Sequence, residues 1–212
     1  MNPDTQAMPA ECTPPRKGGQ TPESLARIAF RLFAEHGVEK VSLGRVAQDA
    51  GVTKGSVYSH FDSKNELFAA ACQMYYRGWQ RKVQMLLASE ASPYARIEML
   101  LRFSVQRCVL DRQNRVFTTE LFALSLRDSL VRAGWTQFYS SVREQFVALV
   151  EAAQASGEIS AGDARRRVNL MLCTLEGLKL RATYEPEIAD AVEIESVVNE
   201  LLELLGVSMC EG

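Results

Sequence analysis

The sequence GVTKGSVYSHF, residues 51–61, predicts the end of one short helix, a tight turn and a second short helix. Gly51 is placed to end the first helix, because glycine readily adopts the left-handed conformation found at many helix C-termini. The hydroxyl of Thr53 can accept a hydrogen bond from a backbone amide and so cap the second helix. Val57 and Phe61 lie four residues apart, so they share the face that packs inward. The stretch therefore predicts a helix-turn-helix.

The opposite side of the second helix, expected over residues 54–60, carries groups that suit nucleic acid. Ammonium, hydroxyl, phenol and imidazole groups can bond to phosphates and to base edges. Gly55 leaves a gap in the side-chain layer through which backbone can approach a base. Ser42 and Lys64 stand at the starts of the flanking helices. The candidate DNA-binding residues are Ser42, Thr53, Lys54, Gly55, Ser56, Tyr58, Ser59, His60 and Lys64.

Apolar residues recur at helical spacing from Thr21 onward. The start of the first helix is well marked. Thr21 can cap it, Pro22 suits its first position, and the acidic Glu23 is favourable in its first turn. Glycines fall mainly between the apolar runs, and no run alternates convincingly as a strand would. The pattern predicts an all-α fold of about nine helices.

The breaks between these runs divide the chain into three parts. Residues 1–20 hold four prolines and a pair of glycines, a composition that predicts a disordered arm. The basic pair Arg16 and Lys17 in this arm can either touch DNA or lie free in solvent. Residues 21–66 form the predicted three-helix head with the helix-turn-helix, and residues 67–212 form a helical body for ligand binding and dimerisation.

The segment from Thr21 to about Leu67 resembles the DNA-binding domain of TetR-family transcriptional regulators in the order and spacing of its residues. The departures are mild: Ser42 stands where the family usually has Thr, and Asn65 stands where Glu is frequent. The residues that carry the resemblance are Ile28-Ala29, Leu32-Phe33, Glu35-His36-Gly37, Val41-Ser42-Leu43, Val46-Ala47, Ala50-Gly51-Val52, Gly55, Val57-Tyr58, His60-Phe61, Ser63-Lys64 and Leu67.

This resemblance implies a dimeric, sequence-specific transcriptional regulator, most often a repressor that a small molecule releases from a palindromic operator. The carboxyl half also resembles the betaine and choline type of repressor within the family, around residues 157–158 and 175–178. The expected partners are double-stranded operator DNA, a second copy of the chain and an unidentified small-molecule effector.

The last two long helices hold more apolar residues than one buried face needs, and a small residue in the first of them would let another helix approach. The resemblance implies that these helices pack against their twofold mates, because two operator half-sites need two heads about 34 to 36 Å apart. The alternative is that they close the core of one subunit. The predicted interface residues are Leu175, Gly177, Leu178, Ile194, Val197, Val198, Leu201, Leu202 and Leu205.

The middle helices should enclose a ligand cavity, as the resemblance also implies. Aromatic residues beside carboxylates suggest a large, flat or cationic ligand. Aromatic residues at helical spacing are equally typical of an ordinary core. The candidate lining residues are Phe103, Arg107, Phe117, Glu120, Leu121, Leu124, Trp135, Phe138, Tyr139, Met171 and Glu176.

Charge is distributed in a way that suits DNA binding by residues 16–64. The chain of 212 residues has a net charge of −2. Between Arg16 and Lys64, however, eight basic residues stand against five acidic ones. The basic excess is therefore concentrated in the segment predicted to bind DNA.

Other classes of protein fit the sequence poorly. With two histidines, no CxxC pair and no nucleophile motif, we expect no enzyme, no metal site and no cofactor. No apolar run approaches the roughly 20 residues that cross a bilayer, and no signal peptide is visible, so a cytoplasmic protein without membrane contact is expected.

The five cysteines are odd in number and are expected to be free thiols. Cys72, Cys108 and Cys173 are predicted to be small buried apolar residues. Two alternatives stay open, a regulator that senses redox state through a thiol and an architectural DNA-binding protein without a ligand.

Overall fold

The structure, a computed structural model, describes residues 21–88, 91–191 and 193–207. These residues contain helices and no strand, which confirms the all-α prediction. Ten α-helices occur in this part of the chain, with a π-helical turn at Gln106–Leu110 between the fifth and sixth. They are α1 (Pro22–His36), α2 (Leu43–Ala50), α3 (Lys54–Tyr58), α4 (Lys64–Leu87), α5 (Pro93–Val105), α6 (Arg112–Ser125), α7 (Ser129–Ala155), α8 (Ala164–Tyr184), α9 (Pro186–Ala191) and α10 (Ile194–Leu204).

Local signals in the sequence set the boundaries of the three-helix head. The hydroxyl of Thr53 accepts a hydrogen bond from the amide of Ser56 at 3.2 Å and so caps α3. At the start of α2, the hydroxyl of Ser42 accepts one from the amide of Arg45, also at 3.2 Å. Gly51 ends α2 in the left-handed conformation, with φ of +66°. The helix-turn-helix therefore forms where its caps predict.

One hydrophobic core runs through the head and the body. Phe117 of α6 is fully buried, and its ring lies 4.5 Å from that of Phe30 in α1 and 5.8 Å from that of Phe68 in α4. Helix α1 packs along both α4 and α6. The predicted boundary between residues 66 and 67 falls inside the continuous helix α4. The head is therefore an extension of the body rather than a separately packed unit.

Three features of the helix pattern differ from the sequence prediction. Helix α3 ends at Tyr58 instead of residue 60, because the chain turns there and brings Phe61 into the core. The π-helical turn before α6 was not predicted. The short helix α9, which brings the number of described α-helices to ten, starts at Pro186, since proline suits the first helical position.

The apolar stripe of α10 belongs largely to the core of this chain. Val198, Leu201, Leu202 and Leu205 are buried where α10 packs against α5 and α8, and Leu175 of α8 is buried too. Among the other predicted interface residues, Ile194, Val197 and Leu178 are half-buried and Gly177 is exposed. The sequence shows that the stripe is apolar, but only the packing shows that α5 covers it.

The described cysteines differ in their exposure. Cys72 is buried and Cys108 is half-buried, whereas Cys173 is exposed. The prediction that Cys173 is buried is wrong, because it lies on the side of α8 that faces away from the core. Cys12, Cys210 and the predicted arm over residues 1–20 lie outside the described residues. None of the described helices is both long and apolar enough to span a membrane.

The shared core predicts that the head and the body unfold together. We expect Phe117→Ala to lower the free energy of unfolding by about 3 to 5 kcal/mol, the usual cost of removing a buried phenylalanine. Phe122→Ala, on the same helix at a site that is 49% exposed, is the matched control and should change it little. Chemical denaturation followed by circular dichroism measures both. Two separate transitions in the Phe117→Ala protein would contradict a shared core.

Candidate nucleic-acid interface and body cavities

The exposed side of α3 carries most of the predicted DNA-binding residues on one surface. Lys54, Gly55 and Tyr58 of the helix and Ser59 and His60 after it are exposed, and Tyr58 has 53% of its surface accessible. Val57, on the opposite side, is completely buried and fixes which side faces out. The helix thus presents a cation, hydroxyls, a phenol and an imidazole on a rigid support.

Several of these groups already take part in local hydrogen bonds. The hydroxyl of Ser59 donates to the carbonyl of Ser56 at 2.8 Å, and the hydroxyls of Ser42 and Thr53 accept amide hydrogens as caps. A hydroxyl that accepts from an amide keeps its own hydrogen, which it can donate to a phosphate oxygen. Ser42 and Thr53 can therefore cap a helix and contact DNA at the same time.

Lys54 and Lys64 are both held against the head. A Cβ atom at Gly44 of α2 would lie 2.9 Å from Cε of Lys54, so the lysine chain crosses α2 where that helix has no side chain. The ammonium of Lys64 donates to the carbonyl of Glu39 at 2.8 Å, which ties the start of α4 to the loop between α1 and α2. Lys64 thus has a structural role in addition to its predicted one.

Two exposed cations beside this surface were missed by the sequence analysis. Arg45 lies in the first turn of α2, where its guanidinium is 3.4 Å from Nε2 of His36, and Lys40 lies in the loop before α2. Because both residues are close in sequence to the candidate Ser42, the sequence alone could have identified them as candidates for DNA binding. Both add positive charge next to the start of α2, where free backbone amides also favour phosphate.

Glu120 joins the head to the body instead of lining a cavity with the aromatic residues. Its carboxylate accepts a hydrogen bond from the amide of Val38 at 3.5 Å, and it also lies beside Gly37. The structure therefore places Glu120 at the junction of head and body and not beside the aromatic residues with which it was predicted to line a cavity. Sequence spacing could not reveal the contact, because it links residues 82 positions apart.

A cavity of about 390 Å³ lies next to this junction, between α4, α6 and α7. Leu121 and Leu124, two of the predicted lining residues, border it together with Cys72, Tyr76 and Val38. The cavity is mostly apolar, and Val38 belongs to the loop of the head. A molecule bound here would touch both the head and the body.

A second group of predicted lining residues surrounds a smaller, enclosed cavity of about 30 Å³ in the body. Trp135, Phe138, Tyr139 and Glu176 line it, together with Tyr75, Trp79 and Lys179. The hydroxyl of Tyr139 bonds to the carboxylate of Glu176, and burial followed by the charge of Glu176 raises the pKa of Tyr139. The phenol therefore stays protonated and acts as a donor.

The remaining predicted lining residues lie elsewhere, so the structure does not bring the whole set into one cavity. Phe117 and Met171 are fully buried in the core, and Phe103 packs against the ring of Trp79 at 4.9 Å. Arg107 lies 4.9 Å above the ring of Tyr75 and borders a separate cleft beside α1. The packing of the helices thus distributes the predicted lining residues between the core, two cavities and a separate cleft.

Burial affects the cysteines of the body in a way that bears on redox sensing. Burial raises the pKa of both the Cys72 and the Cys108 thiols to about 12. Thiolates are the reactive form, so neither thiol is activated at neutral pH. These two residues therefore lack the property that a thiol-based sensor requires.

Comparison with known proteins places the helix-turn-helix in a family. Residues 27–71 match the family model described as bacterial regulatory proteins of the tetR family. The chain is similar to the HTH-type transcriptional regulator AcrR of Shigella flexneri, with 44% identity over 50 residues, covering 24% of this chain and 23% of that protein. It is also similar to the HTH-type transcriptional repressor KstR2 of Rhodococcus jostii, with 32% identity over 98 residues, 46% of this chain and 47% of that protein. The chain thus covers less than half of the length of either relative.

The fold is shared over a larger part of the chain. A protein from Saccharomonospora viridis, solved in complex with choline, superposes with a TM-score of 0.76 over 85% of this chain and 93% of its own, at 16% identity. The segment that matches the family model holds most of α1, all of α2 and α3, and the start of α4, which together build the exposed surface described above. The match to the tetR family of bacterial regulatory proteins is therefore to residues 27–71, which hold the helix-turn-helix.

Proposed function

We propose that the protein is a dimeric transcriptional repressor that binds a palindromic operator and is released from it by a small molecule. The observation that carries the proposal is the exposed side of α3, which presents Lys54, Tyr58 and His60 within a head that matches the family model. The match of residues 27–71 to the family model also favours a regulator over an enzyme. Two such heads would contact successive major grooves of one duplex.

The surface best suited to dimerisation is the outer side of α8. It exposes Leu170, Cys173, Gly177 and Tyr184, with Leu170 at 54% and Tyr184 at 63% exposure. These residues recur at helical spacing, so they form one stripe along the helix. A Cβ atom at Gly177 would meet nothing within 4 Å, which leaves room for a helix of the partner. The partly exposed Ile194 of α10 can extend this surface.

Release from DNA would act through the helices that join the body to the head. Glu120 and Phe117 connect α6 to α1 and to its following loop, and α4 continues from the head into the body. A ligand that moves α4 or α6 would thus change the distance between the two heads. It can do so only if it binds the two arrangements with different affinities.

Base recognition by Lys54 can be tested by selecting bound sequences from a random DNA library. We expect Lys54→Ala to relax the preference at one or two operator positions, with a loss of about 1 to 3 kcal/mol of discrimination. Lys82→Ala, an exposed lysine on the distal half of α4, is the control and should leave the selected sequence unchanged. If the Lys54→Ala protein selects the same sequence as the unmodified protein, Lys54 does not read bases.

Phosphate binding by Lys64 has a different signature. Lys64→Ala should weaken binding to all DNA sequences about equally and reduce the slope of the salt dependence by roughly one unit for each phosphate that the ammonium no longer neutralises. The measurement is affinity by fluorescence anisotropy at several salt concentrations. Thermal unfolding of the same variant reports separately on the bond to the Glu39 carbonyl. A variant that melts earlier but keeps its salt dependence would leave Lys64 with the structural role alone.

The proposed dimer surface predicts the effect of a charge on α8. We expect Leu170→Asp to give a folded monomer whose affinity for the operator falls at least about tenfold, because one head contacts only one half-site. Met85→Asp, at a site on α4 that is 69% exposed, should remain dimeric. Light scattering gives the mass and a mobility shift gives the affinity. A Leu170→Asp protein that stays dimeric would place the interface elsewhere. A variant of the buried Leu201 cannot make this distinction, since it would disturb the core of each subunit.

A further inference from the structure

The body holds a buried ion pair at the edge of its aromatic cluster. The ammonium of Lys179 lies 2.5 Å from the carboxylate of Glu176 and 5.7 Å from the centre of the Trp135 ring. The Lys179 side chain is only 5% exposed, whereas that of Glu176 is 35% exposed. In the sequence the two residues look like an ordinary solvated pair three positions apart on a helix. The structure shows instead a buried lysine whose ammonium lies over one aromatic ring, that of Trp135.

This ion pair is part of a wall between two spaces. Trp135, Tyr139, Glu176 and Lys179 line the enclosed cavity of about 30 Å³ on one side and an open groove of about 340 Å³ on the other. The enclosed cavity alone has room for little more than a water molecule. If the carboxylate of Glu176 swings away, the two spaces join and reach the size of ordinary ligand sites.

The groups around the enclosed cavity favour a ligand that accepts hydrogen bonds. Trp79 lines the cavity and is only 3% exposed, and its indole N–H has no acceptor within the part of the chain that the structure describes. The hydroxyl of Tyr139 and the ammonium of Lys179 both donate to Glu176. The guanidinium of Arg107 lies over the ring of Tyr75 on the neighbouring side. Three donors, on Trp79, Tyr139 and Lys179, thus line this cavity with one carboxylate, that of Glu176.

We propose that the effector of this regulator carries a carboxylate on an apolar body of about the size of an aromatic ring, and that this carboxylate replaces Glu176 as the counter-ion of Lys179. The assignment rests on the proposed function, since it names the chemical class of the effector. Glu176 moves into the groove, which also borders Gly177 of the proposed dimer surface, and the apolar part of the ligand lies among Trp135, Phe138 and Tyr139.

An organic cation fits the same site less well, although the cluster of rings and a carboxylate suggests one at first. A cation at Glu176 would have to displace the ammonium of Lys179, whose side chain is only 5% exposed, compared with 35% for that of Glu176. The displaced ammonium would remain buried without a counter-ion, a costly state. Exchanging one carboxylate for another keeps the lysine paired throughout.

The test compares three probes of the same shape on the purified full-length protein: 4-phenylbutyrate, 4-phenylbutanamide and 4-phenylbutylammonium. Binding is measured by calorimetry and by the fluorescence of Trp79 and Trp135, the two tryptophans of the chain. We expect the carboxylate to bind at least about tenfold more tightly than the amide and the ammonium, because it alone can pair with Lys179. Preference for the ammonium over the carboxylate would overturn the proposal.

Two variants identify the counter-ion exchange. Lys179→Gln should weaken 4-phenylbutyrate at least about tenfold, while Glu176→Gln, which removes the competing carboxylate, should tighten it and increase its stabilising effect on thermal unfolding. Arg181→Gln removes an exposed ion pair with Glu185 on the same helix and is the matched control, expected to change neither. If Lys179→Gln fails to fold, the Glu176→Gln result decides alone. Failure of the carboxylate to bind Glu176→Gln, or binding no tighter than to the unmodified protein, would overturn the exchange.

A mobility shift on the selected operator separates this proposal from the proposed function. If the protein binds a palindrome as a dimer and the carboxylate does not bind, only the effector class is wrong. If the protein binds no specific DNA, the regulator itself is wrong, whatever the probes do.

Discussion

The burial of Phe117 is the contact on which the rest of the molecule depends. Its ring lies between Phe30 of the head and Phe68 of α4, so the hydrophobic core does not end where the helix-turn-helix ends. Because interiors are close-packed, a shift of α6 by a fraction of a turn cannot be absorbed locally and must move α1 or α4. The bond from the Val38 amide to Glu120 adds a polar contact at the same junction. A reading surface on α3 can therefore respond to events in the body.

The parts of the fold that the sequence predicts well are those set by neighbouring residues. Thr53 caps α3 and Gly51 ends α2 through groups within a few positions, and Val57 faces inward because of helical periodicity. The exposed candidates for DNA binding follow from the same periodicity. A match over the whole head then limits the function far more than any one motif does.

The parts that sequence reasoning misplaced depend on contacts between distant segments. Nothing near Leu201 indicates that α5 covers the stripe of α10, and nothing near Glu120 indicates the loop of the head. Lys179 was overlooked because a lysine three residues after a glutamate is usually solvated. In each case the sequence shows which side chains are apolar or charged, but only the tertiary structure shows which residues they contact. A monomer core and a dimer seam are equally apolar in sequence.

Electrostatics divides the molecule more sharply than its net charge suggests. Residues 16–64 carry eight basic residues against five acidic ones, including the exposed Lys40 and Arg45, while the rest of the chain has an excess of acidic residues. The basic excess is therefore confined to the part of the chain that is proposed to bind DNA, where it would orient the approach to a duplex. Inside the body, the buried ammonium of Lys179 is paired with Glu176, so an exchange of that partner would have a large local effect.

The contact between Lys54 and Gly44 has a consequence for how DNA preference can evolve. The direction of the Lys54 ammonium is set by a residue of the preceding helix, which leaves a channel for the lysine chain because it has no side chain. If Lys54 reads bases as proposed, any larger residue at position 44 would push the lysine chain aside and direct the ammonium to a different base pair. A lineage could thus acquire a new operator while keeping every residue of the recognition helix. Comparing recognition helices alone would then group proteins that bind different sites.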